Sequence, residues 1–299
     1  MTSPHVAIVI PTFNSRQALT KCLHSLEWAR SAGVSVVVVD SGSGDGTREY
    51  LRTIPWVTAV EGNPDMWWAA ATNAGCICAV RTLGADALAL LNCDCVWDGA
   101  SFLALRDSYL RRPNDIHCSR VLVQSPRSLL FAGGVVSRSG RVGIRGFLKP
   151  VGTFYPEGEV EWCGGMGVLF AAGLWEELGG FDARSFPQYY ADSDFCLRAR
   201  RAGRIVWFCP NSVVVNDRSS SALNVPKTGA RLSDLALALV SRRSPANVRD
   251  TFLFYRRHAG LRLPTALADQ YWGTIGSGIK RICLSSAARL FGLDGSQAQ

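Results

Sequence analysis

The chain has 299 residues, of which 47% are apolar, and 32 Lys and Arg against 24 Asp and Glu give it a net charge of +8. This length suits one large α/β domain or a domain with an appendage, and the apolar share excludes global disorder. The positive excess favours anionic ligands such as nucleotide phosphates or acidic lipid, and because the basic residues are scattered and not interleaved with aromatics, nucleic acid is set aside.

The ten cysteines make no metal-type Cys-x-x-Cys pairs. Cys76/Cys78 and Cys93/Cys95 lie in apolar runs, so they read as reduced core residues of a cytoplasmic protein. Met1–Asn14 lacks the pattern of a signal peptide, and no stretch approaches ~20 uninterrupted apolar residues, so no membrane span is expected.

Val6–Ile10 reads as a buried strand closed by Pro11-Thr12-Phe13-Asn14. Ser15 is placed to cap a helix with apolar positions at Leu19, Cys22, Leu23, Leu26 and Ala29, and Gly33 to end it. Val34–Val39 is a second strand that ends in Asp40, and glycines 42, 44 and 46 lead into a helix over Thr47–Arg52. Val57–Val60 is a third strand, 66–83 a helix stopped by Gly84, and Ala85–Leu91 a fourth strand, apolar throughout. Strand–helix alternation with short loops predicts an α/β fold with a doubly wound, mostly parallel sheet.

Two strand tips carry carboxylates. Asp94 follows the Ala87–Leu91 run at the rim where open α/β sheets bind ligands; it suits a hard divalent cation, or else a turn that caps the next helix. Asp40 ends the second strand, but the glycine spacing after it is not G-x-G-x-x-G and a carboxylate would face the pyrophosphate, which rejects a dehydrogenase. Asp40 can accept from a nucleobase or ribose, or serve its own turn. Trp67 and Trp68 open a helix and point roughly 100° apart, so that one can pack inside while the other faces a sugar or base. Asn73, polar in an Ala-rich helix, is donor-facing or bonded to a loop.

Residues 99–112 form a helix ended by Pro113, and Ser119–Val123 and Leu129–Val136 alternate as strands, followed by a basic, Gly-rich connector over Arg138–Lys149. Glu161–Phe170 reads as a strand with three glycines in its first half, Gly164 and Gly165 among them, marking a close ligand approach or a bulge. Helix 173–178 leads to Asp192, which opens a helix running to Ala202; that N-terminus favours an ionised carboxylate, as proton acceptor or plain cap. Asp194 reads as the bracing member of the pair. Ile205–Phe208 and Val213–Val215 are short strands, a polar stretch carries Asn216, Arg218 and Lys227, and four helices follow: Leu232–Val240, Asn247–His258, Pro264–Tyr271 and Ile279–Leu290. The boundaries divide the chain into 1–230 and a helical region over 231–299.

Five ordered blocks resemble glycosyltransferase family 2: Ala7-Ile-Val-Ile-Pro-Thr-Phe-Asn14 with Val38–Thr47, Asn63–Gly75, Leu90-Leu-Asn-Cys-Asp94, Gly179-Gly-Phe-Asp182, and Tyr189–Arg200. The Trp67-Trp68 version resembles bacterial rhamnosyltransferases of surface-polysaccharide assembly. The resemblance implies a GT-A fold, a nucleotide-sugar donor and a divalent cation, Mg²⁺ or Mn²⁺. It places Pro11, Thr12, Phe13, Asn14, Asp40, Gly42, Trp67, Trp68, Asn73, Asn92, Cys93, Gly164, Gly165 and Arg218 around the donor, and Asp94 on the metal. Asp192 becomes the base, with Asp194 and Tyr190 on the acceptor side. Asn92 stands where the family's metal motif usually has its first Asp, and Asn216 where members often carry a histidine near the metal or diphosphate, so Arg218, Lys227 and Arg231 are candidates for the diphosphate.

The expectation is therefore an inverting, metal-dependent glycosyltransferase moving a sugar from dTDP-rhamnose or a UDP-sugar to a saccharide or lipid-linked acceptor. A nucleotidyltransferase would want a Gly-rich loop with Lys or Arg after the first strand, which Pro11–Asn14 does not supply; a non-catalytic scaffold would have no need of Asp40, Asp94 and Asp192 together. The tail, where aromatics sit among basic residues, is expected either on the inner face of an anionic membrane or packed against the catalytic domain or a second subunit.

Overall fold

The computed structural model describes residues 3–125, 127–217 and 230–290. The chain divides into two compact units: residues 1–135 with 142–220, and residues 136–141 with 221–299.

The first unit holds strands β1 (Val6–Thr12), β2 (Ser35–Asp40), β3 (Val57–Glu61), β4 (Ala87–Leu90), β5 (Cys95–Trp97), β6 (Ile116–Val123), β7 (Ser128–Phe131), β8 (Gly134–Val136), β9 (Val142–Ile144), β10 (Gly158–Val160), β11 (Val168–Ala171) and β12 (Val206–Asn216). Its helices are α1 (Arg16–Ser25), α2 (Ala29–Ala32), α3 (Thr47–Arg52), α4 (Trp68–Arg81), α5 (Gly99–Arg111), α6 (Ala172–Glu177) and α7 (Ala191–Arg201). The main sheet runs β10-β12-β6-β11-β4-β1-β2-β3, with β5 on β12 and β7 on β6. β3, β2, β1 and β4 are parallel, as the alternation predicts. β6 and β12 are also parallel, but β11 lies antiparallel between β4 and β6, so the sheet is mixed.

Every residue of β1 and β4 is buried, which accounts for their unbroken apolar sequences. Each such Val, Ile or Leu contributes ~1.5–3 kcal/mol on burial. Helix α4 crosses β1 and β2 at Gly75, where an added Cβ would come within 2.4 Å of Val9 Cγ1 and 3.0 Å of Val39 Cγ2. Only glycine lets this helix lie so close to the sheet. The register sets Thr12 opposite Asp40, and the Leu91 N–H donates to Val9 O, so the β4 tip runs alongside the end of β1.

Several local expectations are corrected. Glu161–Phe170 is not one strand: β11 starts only at Val168, and the glycine segment before it is irregular, with Gly167 at φ +72° beside Ser119 and Val214. Ile205–Phe208 and Val213–Val215 are one strand, β12, with a bulge after Cys209 that absorbs Pro210, a residue with no N–H for the ladder. Leu129–Val136 splits into β7 and β8. Ser15 does not cap α1: its hydroxyl donates to Phe13 O, and the Arg16 N–H is taken by Asp45 Oδ2 at 2.8 Å. All ten cysteines are free of disulfides, in line with reduced thiols.

The second unit holds α8 (Leu232–Val240), α9 (Val248–His258) and α10 (Leu263–Leu290). The two expected C-terminal helices are one 28-residue helix; Gly273, Gly276 and Gly278 do not interrupt it, and Gly278 lies against Leu235. Ala230, Leu235, Ala238, Leu239 and Ile282 form its core. The 136–141 turn belongs here through Ser139 Oγ and Arg141 Nε on Asp269, at 2.6 and 3.4 Å.

Candidate active site

The loop after β2 is held by side chains from both tips. Asn14, at φ +46°, receives the Gly44 N–H on its Oδ1 and donates its own N–H to Ser43 Oγ, both at 2.8 Å; asparagine tolerates this left-handed backbone better than most residues. Gly42, at φ +79°, lies against Pro64. Asp40 is buried. Its Oδ1 accepts the Ser43 N–H at 3.0 Å, while its Oδ2 has no hydrogen bond and only the Arg48 guanidinium, 3.7 Å away. A buried carboxylate oxygen left without a donor is costly and is suited to take one from a ligand. Pro11 and Thr12 are buried within β1 beside it, and Phe13 is exposed.

At the β4 tip, Asn92 accepts the Trp68 indole N–H on its Oδ1 at 2.9 Å. Burial, with the adjacent Asp94 second, pushes the Cys93 thiol up to about 11, so it is an uncharged wall and not a thiolate. Asp94 is half-buried. Its carbonyl takes the Asp217 N–H at 2.8 Å, and Asp217 pairs with Lys21 at 3.4 Å. Asn216 turns its amide inward, to Asp94 O at 3.5 Å and Cys95 Sγ at 3.4 Å. Through these contacts it braces the tip.

No cluster of three or more His, Cys, Asp or Glu forms a cage among the described residues. Asp94 and Asp217, joined main chain to main chain, nevertheless put two oxygen-donor side chains on neighbouring segments at the rim. A carboxylate of this kind fits Mg²⁺ or Mn²⁺, which take one or two carboxylates and complete their shell with water and phosphate.

Trp68 reaches the other side of the site as well. Its ring covers Gly165, where an added Cβ would lie 2.3 Å from Cζ2, and it meets Phe181 edge-on at 5.5 Å. Trp67, at the N-cap of α4, is half-buried. Of the two readings of Asn73, the loop is the observed one: its amide donates to Phe181 O at 2.8 Å and accepts from Phe181 N and Trp175 Nε1.

Asp192 sits in the first turn of α7. Its carboxylate accepts the Ser193 N–H at 2.7 Å and the Gly165 N–H, and Gly164 lies against its Oδ2. Burial raises its pKa above the usual carboxylate range, opposed by those hydrogen bonds. Asp194 is fully buried on Arg198, 2.8 Å away, whose other nitrogens hold Leu178 O and Gly180 O. Tyr190 precedes the helix at φ +69°, a strained conformation for an aromatic residue. A contiguous path thus runs from Asp94 through Asn92, Trp68 and Gly165 to Asp192. Arg218 and Lys227 lie outside the described residues, and Arg231 opens α8 in the second unit. Sequence reasoning missed Arg48, Ser43 and Asp217; of these only Asp217, a carboxylate beside Asn216, carried a signal.

Residues 7–134 match the family model of glycosyl transferase family 2. Over that stretch the chain is similar to the family 2 glycosyl transferases. It is 26% identical over 240 residues, 72% of this chain and 76% of the relative, to N-acetylglucosaminyl-diphospho-decaprenol L-rhamnosyltransferase of Mycobacterium tuberculosis. Among solved structures it is similar to GalNAc-T7 with UDP, GalNAc and Mn²⁺, at TM-score 0.59 and 13% identity over 93% of this chain; it spans 55% of that chain. It is also similar to the mannosyltransferase PcManGT of Pyrobaculum calidifontis with GDP-Man and Mn²⁺, at TM-score 0.54 and 20% identity, covering 99% of this chain and 77% of that one. The first unit shares the GT-A fold of these solved structures: a mixed sheet flanked by helices.

Proposed function

We propose that this protein is an inverting glycosyltransferase that moves rhamnose from dTDP-rhamnose, or a sugar from a UDP-sugar, to a lipid-linked saccharide in bacterial cell-surface polysaccharide synthesis. The observation that carries the reading is Asp192, a carboxylate at a helix N-terminus held by the Gly165 amide and joined through Trp68 to the Asp94 tip. The mycobacterial relative, named for a diphospho-decaprenol acceptor, supports the lipid-linked acceptor and the rhamnosyl donor.

In this reading Asp40, the Pro11–Asn14 turn and Gly42 hold the nucleotide, with Arg48 lending charge beside the free Asp40 oxygen. Asn92 and Cys93 shape the floor under the diphosphate. The acceptor hydroxyl attacks the anomeric carbon opposite the nucleotide. Its proton goes to Asp192, the new glycosidic C–O bond forms, and the bond to the diphosphate oxygen breaks. Asp94, with Asp217 nearby, would hold a Mg²⁺ or Mn²⁺ that, when bound, offsets charge on the departing diphosphate. Asp194, Arg198 and Asn73 keep the 178–181 loop and α7 fixed so that Asp192 does not move.

A thermal-shift screen of nucleotide-sugars with and without Mn²⁺ tests the reading. A ligand bound only by the native state raises the melting temperature. A metal-dependent rise with dTDP-rhamnose or a UDP-sugar is expected; no rise with any nucleotide-sugar contradicts it.

A further inference from the structure

Formal charge is divided unequally between the two units. Residues 1–135 with 142–220 carry 19 Lys and Arg against 20 Asp and Glu, a net −1. Residues 136–141 with 221–299 carry 13 against 4, a net +9. The whole positive excess of the chain therefore belongs to the helical unit, while Asp40, Asp94 and Asp192 all belong to the other.

The long helix of that unit has one face turned inward. Gly278 lies against Leu235, Ile282 joins the core, and Ser285 Oγ accepts the Ala230 N–H at 3.0 Å. Around the helix from these, Ile275, Gly276, Ile279 and Cys283 follow Trp272 at helical spacing on one face, and all five are exposed. Trp272 is 86% exposed and Ile279 49%. The stripe is ~17 Å long at 1.5 Å per residue and contains no charged side chain, while exposed Lys280 borders it. No helix among the described residues is long and apolar enough to cross a membrane, so the stripe is suited to lie on a bilayer and not within it.

We propose that the helical unit docks on an anionic lipid surface through the Trp272–Cys283 face of α10. An apolar stripe bearing an exposed tryptophan, on a unit of net +9, matches the boundary between acyl chains and acidic headgroups. A second copy is a poorer occupant, because it would bring two +9 units together. Nucleic acid would satisfy the charge and leave the stripe uncovered. The purpose of the contact rests on the lipid-linked acceptor proposed above, since docking would hold the catalytic unit where such acceptors lie; the contact itself is read without substrate.

The test is co-sedimentation of the full chain with vesicles of phosphatidylcholine alone or with a third phosphatidylglycerol. Binding to the anionic vesicles only, weakened by salt, is expected. Trp272→Glu and Ile279→Glu, both at exposed positions, should each lower partitioning on the order of tenfold, and Lys280→Glu roughly fivefold or more. Melting temperatures report folding, and Lys280→Glu with the salt dependence still decides the matter if a stripe variant misfolds. Equal binding to neutral vesicles, or wild-type partitioning by Trp272→Glu and Ile279→Glu, overturns the proposal. So does a dimer on size exclusion that Trp272→Glu splits without loss of vesicle binding, or preferential binding of labelled single-stranded RNA. A chain that docks yet transfers no sugar to a lipid-linked acceptor contradicts the acceptor reading and leaves the docking face standing.

Discussion

The indole N–H of Trp68 donates to the side-chain oxygen of Asn92 at 2.9 Å, while the adjoining Cζ2 corner of its six-membered ring covers Gly165. One residue thus touches both the strand tip that carries Asp94 and the backbone amide that holds Asp192. Trp68→Phe removes the N–H donor together with the benzo atoms over Gly165. It should weaken donor binding by roughly three- to tenfold, the worth of one hydrogen bond, with turnover of bound substrate little changed. Calorimetry with the nucleotide-sugar measures this, and Asn92→Ala should reproduce it without adding to it in the double variant.

Asp94→Ala removes the carboxylate at the β4 tip and leaves Asn216 and Asp217 bonded to its main chain. Donor affinity measured with Mn²⁺ should fall to the value found with EDTA, and the melting temperature should hold. Equal affinity with and without Mn²⁺ in the wild type contradicts the metal role.

Asp194 differs from Asp192 in its surroundings. Asp194→Ala leaves Arg198 without its buried partner and should destabilise the fold by roughly 3 kcal/mol, since removing one member of a buried pair strands the other charge. Urea unfolding measures the loss, which should accompany any loss of activity.

Much of the fold is legible in the sequence. β1, β2 and β4 are apolar runs because both their faces are buried, and the strand–helix rhythm gives their parallel order. β12 is hidden by Pro210, which breaks the apolar pattern although a bulge accommodates it. α10 is hidden by three glycines that lower helix propensity without ending a helix packed on its neighbours. Within the site, tip carboxylates can be read from the chain, since they follow strands directly. The Trp68–Asn92 bond joins residues 24 positions apart and Asn73 grips a loop more than a hundred residues on, so neither leaves a local signature.

Asp192 has a pH signature of its own. Burial raises its pKa, so the folded chain holds the proton more tightly than the unfolded one. The stability it contributes is fully present below the ordinary carboxylate pKa and is lost as pH rises through the elevated folded value. Asp192→Asn, neutral throughout, should therefore melt higher than wild type at neutral pH, with the gap closing in acid. The wild-type rate should fall in acid with a midpoint above the usual carboxylate range.

The rate of sugar transfer by Asp192→Asn, measured in single turnover with donor and acceptor saturating, tests the account most directly. The variant keeps the shape of the side chain but cannot take the acceptor proton. The rate should fall by ~10²–10⁴-fold, the usual contribution of a general base, with donor affinity unchanged. A rate near that of the wild type would contradict the assignment of Asp192 as the base.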